Sequence, residues 1–297
     1  MRIVNDHLEI PKAALQRPSA AGYLLLAAEV DRRPPLLPSS RAKRRLIAFS
    51  AAAVADLSRL PGVTGAELFD ARLVAPGMGH ELLRRRAGTV HQARFDLVVL
   101  VETTDPAAAA AVRGHPGYRR LAARVAGAAQ HTHEIVARNV RRIADVDHTR
   151  PSVFLFNYFY AEDPRDLLPV WEYTAGWFVD KTSLADSTVL EPLDGEADDY
   201  GIINHASWPS FTTFLPSLVL RPSFRRYVLA NFAANGIAAQ PILYRRVAPL
   251  PVSRRPGFGG DEAWSDGSSI RLTATTPPIR AKRASSTTTR RHRTRGL

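Results

Sequence analysis

The chain reads as an α+β protein built from two successive β-α-β-β-α-β units, and three observations carry that expectation. Two heptapeptides of the same make-up, HPGYRRL at 115–121 and RPSFRRY at 221–227, share a proline, an aromatic and an Arg-Arg pair in the same order. Their surroundings correspond when shifted by about 105 residues: FDLVVLVETTD (95–105) falls on YGIINHASWPS (200–210), and NVRRI (139–143) falls near LYRRV (243–247). In both halves, strand-length apolar runs alternate with stretches of helical period.

The elements follow in order. GYLLLAAEV (22–30) is a strand, and a Pro/Ser-rich turn separates it from a helix over 41–60 that carries Leu46, Phe49, Val54, Leu57 and Leu60 near helical spacing. PGVTG breaks that helix before a strand at 63–75, and a loop containing Gly and Arg leads to a strand at 95–103. Asp105 is a suitable N-cap, with Pro106 at the first helical position. The last strand of this half falls within 133–143, and HTH (131–133) reads as a loop before it. The second half repeats the order: strand 152–160, helix 164–180, strand 185–192, the turn DGEADD, strand 199–207, helical segments at 210–219 and 222–235, a stop at Asn235-Gly236, and a strand at 237–247. The expected organisation is an extension (1–20), a first unit (21–148), a second unit (149–248) and a tail (249–297).

Each unit is a split β-α-β arrangement of ferredoxin-like type, with helices on one face of its sheet only. The bare face must be buried, and a second copy is a suitable partner. On element order and the internal repeat, residues 20–248 resemble the dimeric α/β-barrel superfamily in fused form. The resemblance implies two tandem units packed as an intramolecular barrel, with a pocket between sheet and helices for a hydrophobic small molecule. The superfamily includes cofactor-independent monooxygenases, lactone isomerases, cyclases and haem-binding oxidoreductases, and the fold alone does not choose among them.

Composition narrows the rest. The chain has 297 residues, 45% of them hydrophobic, and no cysteine, which removes disulfides, thiolate nucleophiles and Cys-based metal sites. The run YLLLAAEV is too short to span a bilayer and lacks the flanks of a signal peptide, so the expectation is a cytoplasmic protein with no membrane partner. The net charge is +12, yet eight Lys/Arg and no acid lie beyond residue 270, and without them the balance is +4. The tail's Ser, Thr, Pro and Arg predict disorder, with nucleic-acid contact limited to non-specific phosphate binding. No Walker A loop, GxGxxG, GxSxG or HExxH occurs.

Strand alternation assigns candidate site residues. Phe95, Leu97, Val99 and Val101 should face helices, which at the same offset turns His205 and Ser207 toward the barrel interior. Setting Asn157 on Ala27 and Phe159 on Glu29 points these inward too. Trp171, Thr174 and Phe178 form a helical core stripe, which frees Tyr173 and Trp177, with Trp208, to line a pocket. The catalytic set is then His205 as acid/base, Asn157 as hydrogen-bond donor to substrate, and Ser207; Phe159, Tyr173, Trp177 and Trp208 bind the substrate. The competing reading of His205 is a core histidine satisfied by a backbone carbonyl. The leading expectation is a cofactor-independent oxygenase or isomerase acting on a hydrophobic or aromatic molecule. The alternatives are haem binding with His205 as axial ligand, and a non-catalytic ligand-binding or assembly protein. The recurrent pairs Arg141-Arg142 and Arg245-Arg246 suit salt bridges at the barrel rim.

Overall fold

The computed structural model describes residues 1–247 except 32, 34–37 and 198. The tail expected from residue 249 onward lies outside the described residues. Eight antiparallel strands form a closed barrel: β1 (Gly22–Glu29), β2 (Val63–Val74), β3 (Leu97–Thr103), β4 (His131–Ala144), β5 (Val153–Ala161), β6 (Asp186–Pro192), β7 (Ile202–Trp208) and β8 (Ile237–Arg246). The order around the ring is β1-β3-β2-β8-β5-β7-β6-β4. This is two four-stranded ferredoxin-like sheets, β4-β1-β3-β2 and β8-β5-β7-β6, joined edge to edge by β2–β8 and β4–β6. Closure gives each strand two hydrogen-bonded neighbours and removes the free edges an open sheet would expose.

Helices cover the outside of each sheet. On the first lie α1 (Arg41–Leu57), α3 (Pro106–Gly114) and α4 (Pro116–Ala126). Their N-termini are capped by Ser40, Asp105 and His115, which accept from the backbone N–H of Lys43, Ala108 and Gly117. HPGYRRL therefore opens α4. Leu46, Val54, Leu57, Leu121 and Val125 from these helices pack on Leu24, Leu26, Leu97, Val99 and Val101 of the sheet. On the second sheet lie α5 (Leu167–Thr182), α6 (Phe211–Leu220) and α7 (Ala230–Ala234), with a π-helical stretch at Phe224–Leu229. RPSFRRY opens the helical run that starts at Pro222, passes through this π-helix and ends in α7, as its counterpart opens α4. A short α2 (His80–Arg85) occupies the expected Gly/Arg loop, and HTH belongs to β4 rather than to a loop before it.

The barrel interior is solid. Phe69, Phe95, Phe154, Phe156, Tyr158, Tyr200 and Tyr244 fill it against Leu25, Ala27, Ala71, Ala93, Ala137 and Ile135. Phe95, expected to face the helices with Leu97, turns inward instead, because it precedes β3 and the strand alternation begins only at Leu97. Among the described residues, no helix is long and apolar enough to cross a membrane. The four rim arginines are all ion-paired: Arg141 with Glu172, Arg142 with Asp145, Arg245 with Asp70 and Arg246 with Glu67.

The first 20 residues pack on the second half. Asn5 donates to the Tyr227 carbonyl at 3.1 Å, Gln16 N–H to the Arg142 carbonyl at 2.8 Å, and Ser19 N–H to Asn139 at 2.8 Å. The crossing requires Gly176 in α5, because a Cβ there would meet the Pro11 carbonyl oxygen.

A buried ion cluster ties α1 to the ring. Lys43 Nζ lies 2.9 Å from both Asp70 of β2 and Asp96, which precedes β3, with 5% of the lysine exposed. Replacing Lys43 by Met strands two buried carboxylates. Urea unfolding should show a loss of about 3–5 kcal/mol, with the loss much reduced in a Lys43→Met/Asp70→Asn/Asp96→Asn triple variant.

Candidate functional site

A cavity of about 420 Å³ lies on the outer face of the second sheet, between that sheet and α5, α6 and the π-helix. The sheet supplies Leu155, Asn157 and Phe159 from β5 and Asn204 and Trp208 from β7. The helical layer supplies Trp171, Thr174, Ala175 and Phe178 from α5, Phe214 and Leu218 from α6, and Phe224 and Val228 from the π-helix. The segment before α2 closes one side: Ala75 N–H donates to the Pro241 carbonyl at 3.1 Å and Met78 N–H to the Ala239 carbonyl at 2.9 Å. The walls are aromatic and aliphatic, and the polar groups gather on the sheet.

Those polar groups have a definite order. Asn157 and Asn204 are directly paired across β5 and β7, which places their Cβ atoms about 5 Å apart. Ser187 of β6 donates its hydroxyl to Asn204 Oδ1 at 2.7 Å. This leaves the Asn204 amide N–H groups for an occupant. The Asn157 side chain has no hydrogen-bond partner among the described residues, and its Oδ1 is fully buried. Thr174, by contrast, spends its hydroxyl on the Val170 carbonyl of its own helix at 2.9 Å.

Three of the sequence-predicted residues meet here: Asn157, Phe159 and Trp208. Asn157 and Phe159 arrive on the face opposite to the one expected. The pairs Leu25↔Leu100 and Phe156↔His205 occupy equivalent positions, so Phe156, not Asn157, corresponds to the inward-facing strand position, and a one-residue slip exchanges the faces. Trp177 and Tyr173 stand away from the cavity. Trp177 is fully buried against Phe178 and Phe224, with its indole N–H donating to Ser223 at 3.0 Å. Tyr173 stacks on Tyr227 beside the N-terminal extension. Trp171, Thr174 and Phe178, expected as a core stripe, are the α5 residues that line the cavity.

His205 and Ser207 do face the barrel interior, behind the sheet from the cavity. Ser207 donates to Asp186 at 2.8 Å. His205 stacks on Phe156 with ring centroids 4.1 Å apart. Its Nδ1 lies 2.9 Å from the Leu155 carbonyl and its Nε2 2.8 Å from His148 Nε2. A carbonyl only accepts, so Nδ1 carries the hydrogen, Nε2 accepts, and His148 is the Nε2–H donor. Burial pushes His205 well below the usual imidazole range. Burial, and then the charge of Arg246, lower His148 to about 4. Both rings are neutral near pH 7, and both nitrogens of His205 are engaged.

The haem alternative can be tested on the same geometry. No imidazole lines the cavity, and His205 has neither a free nitrogen nor access to it. The residues present do not fit a haem held by His205. Among the described residues, no cluster of three or more metal-binding side chains occurs.

Asn204, Ser187, Trp171 and Phe178 were not singled out from the sequence as site residues. The usable signal was an asparagine set in the middle of each of two apolar strands, FLFNYFY and GIINHAS.

The ring topology and its helical cover make the chain an α/β barrel of the dimeric type, completed within one polypeptide. No family model matches the sequence, and no curated protein matches it. Among solved structures, it is similar to an anthrone oxidase-like protein (TM-score 0.56, 10% identity, 80% of this chain and 94% of that one). A candidate monooxygenase from Fusobacterium nucleatum aligns with TM-score 0.49 and 8% identity over 77% of this chain and 94% of that one. A chlorite dismutase variant from Candidatus Nitrospira defluvii aligns with TM-score 0.43 and 10% identity over 78% and 92%. The first of these likenesses bears out the fold.

The two interior imidazoles make stability depend on pH. Their folded-state affinity for protons is depressed, so between the unfolded value near 6.5 and about 4 the unfolded chain binds more protons. Stability is therefore full above pH 6.5 and falls as pH drops, by up to about 1.4 kcal/mol per pH unit for each ring. Urea midpoints at pH 7 and pH 5 should differ more in the native chain than in a His148→Phe variant.

Proposed function

We propose that the outer cavity of the second half binds a hydrophobic aromatic ketone or phenol, with the ligand's oxygen against Asn157 and Asn204. The observation that carries this reading is the asparagine pair on the floor of an otherwise apolar cavity, Asn157 with its Oδ1 buried and without a partner and Asn204 with its oxygen held by Ser187 and its amide N–H groups left over. Buried amide groups without partners are costly; a ligand hydroxyl donating to Asn157 Oδ1 and a ligand oxygen accepting from the amide N–H groups relieve that cost. Trp171, Trp208, Phe159 and Phe178 offer the wall for a planar ring system. The cavity volume suits a molecule of two to three fused rings.

The chemistry such a site supports is stabilisation of negative charge on oxygen. Two fixed N–H donors hold a carbonyl more strongly as it becomes an enolate. Ser187 fixes the Asn204 amide in the donating orientation. No carboxylate or imidazole lines the cavity, so the proton removed must come from an already acidic C–H or O–H and leave through solvent at the opening. Isomerisation of an enolisable ketone fits directly. Oxygenation of the same enolate by molecular oxygen is the related reaction for which the anthrone oxidase-like neighbour suggests a first substrate, a tricyclic aromatic ketone. In this reading Asn157 and Asn204 carry the chemistry, while His205 and Ser207 hold the barrel interior together.

Anthrone and anthracene separate the terms. Anthrone should quench the fluorescence of Trp171 and Trp208 and bind about tenfold more tightly than anthracene, the worth of one or two buried hydrogen bonds. Asn204→Leu should remove that preference and leave anthracene binding in place; a variant that keeps it removes the basis for the reading. Filling the space with Ala175→Phe should abolish binding of both at a stability cost of about 1–3 kcal/mol, measured by ligand titration and urea unfolding.

A further inference from the structure

We propose that the ligand of this cavity is an anion, an aromatic or other hydrophobic carboxylate whose acid group is held by Arg225 at the opening. The inference rests on the binding site proposed above and adds the second polar end of the ligand. Arg225 is the one charged residue among those lining the cavity. It stands in the π-helical stretch Phe224–Leu229, in the helical layer, across the cavity from the asparagine pair on the sheet. Its guanidinium forms no ion pair among the described residues, whereas the four rim arginines each meet a carboxylate. The local sequence explains why. From Tyr200 to Val247 there are five arginines and no Asp or Glu, and three of them, Arg221, Arg225 and Arg226, fall within six residues of one another, with Arg225 on the cavity.

An unpaired guanidinium beside an apolar cavity selects for charge. It offers paired donors that match a carboxylate. The surrounding arginines raise the local positive potential and favour approach of an anion. The backbone adds position: a π-helical turn carries an extra residue per turn, and such turns recur at functional sites. Here it places Phe224, Arg225 and Val228 on the cavity together. A ligand that answers every group has an apolar body for the aromatic walls, a carbonyl or hydroxyl oxygen for Asn157 and Asn204, and a carboxylate for Arg225.

The test compares 9-anthracenecarboxylate with its methyl ester by calorimetric titration of the full chain at pH 7 and low salt. The acid should bind at least about tenfold more tightly, the usual worth of one charge-assisted hydrogen-bonded pair. Arg225→Gln should erase the difference by weakening the acid alone, and Arg225→Glu should reverse it. Acid preference should also fall at pH 4, where the ligand protonates. Equal binding of acid and ester to the native chain, or an acid preference that survives Arg225→Gln, overturns the assignment and leaves the cavity reading intact. Failure of both compounds to bind overturns the cavity reading and this one with it.

Discussion

The closure of the ring through β2–β8 and β4–β6 is the constraint on which the rest of the molecule depends. A closed eight-stranded barrel has an interior only wide enough to be filled by side chains. It also has an outer face that the two helical layers must cover. Strands in the middle of each sheet, such as β1 and β5, are then apolar on both sides, and two separate packing problems have to be solved at once. The interior is solved asymmetrically. The second half contributes the large rings of Phe154, Phe156, Tyr158, Tyr200 and Tyr244, and the first half opposes them mostly with small or aliphatic residues. Once those rings are in place, little space remains inside, and the apolar room for a ligand lies between the second sheet and its helices.

The same constraint decides what an interior histidine can do. A ring in the barrel core must have its nitrogens satisfied by the protein, because water does not reach it. His205 does this with the Leu155 carbonyl and His148. A comparable arrangement occupies the far end of the interior face of β4, where His131 stacks on His91 and His133 faces Asp199. Satisfaction inside the ring is not complete, since the Tyr158 hydroxyl and His133 Nε2 are buried without a partner. The asparagine pair on the outside differs in facing a cavity.

Much of the architecture was legible because element order, caps and breaks are local signals. Ser- and Asp-led helix starts, Pro at first helical positions and the PGVTG and Asn-Gly stops all act within a few residues of chain. The faces of β1 and β3 could be assigned because Glu29, Asp96 and Glu102 mark one set of alternate positions and leave Leu24, Leu26, Leu97 and Val99 to the other. β5 defeated the same reasoning. VFLFNYFYA is apolar at nearly every position, as a strand buried on both faces must be, so periodicity gives no register. A single step of misalignment then carried Asn157 and Phe159 to the wrong side. The α5 stripe failed for a related reason: a helix face that lines an apolar cavity has the same composition as one that fills a core.

Why the second half holds an apolar cavity over the middle of its sheet, whereas the cavity of the first half lies at the charged Lys43-Asp70-Asp96 cluster, can be argued from one pair of positions. Leu26↔Val99 in the first sheet and Asn157↔Asn204 in the second are the same place in the topology. Leu26 and Val99 are apolar, and α1, α3 and α4 close over them with Leu, Val and Ala. An asparagine pair at that place cannot be covered by such side chains without leaving amide groups unsatisfied, at about 1–3 kcal/mol each. The second half meets this by holding its helical layer off the sheet. α6 carries Pro216 in its interior, and the π-helix follows it. Both interrupt regular α-helical hydrogen bonding and bend the path of the chain. Filling the same space with a close-packed helix would bury the asparagines for a loss, whereas an open space lets a ligand oxygen satisfy them. Stability and binding are therefore opposed at this one pair, and replacing both asparagines by leucine and valine would make the second half more like the first, a better core and no site.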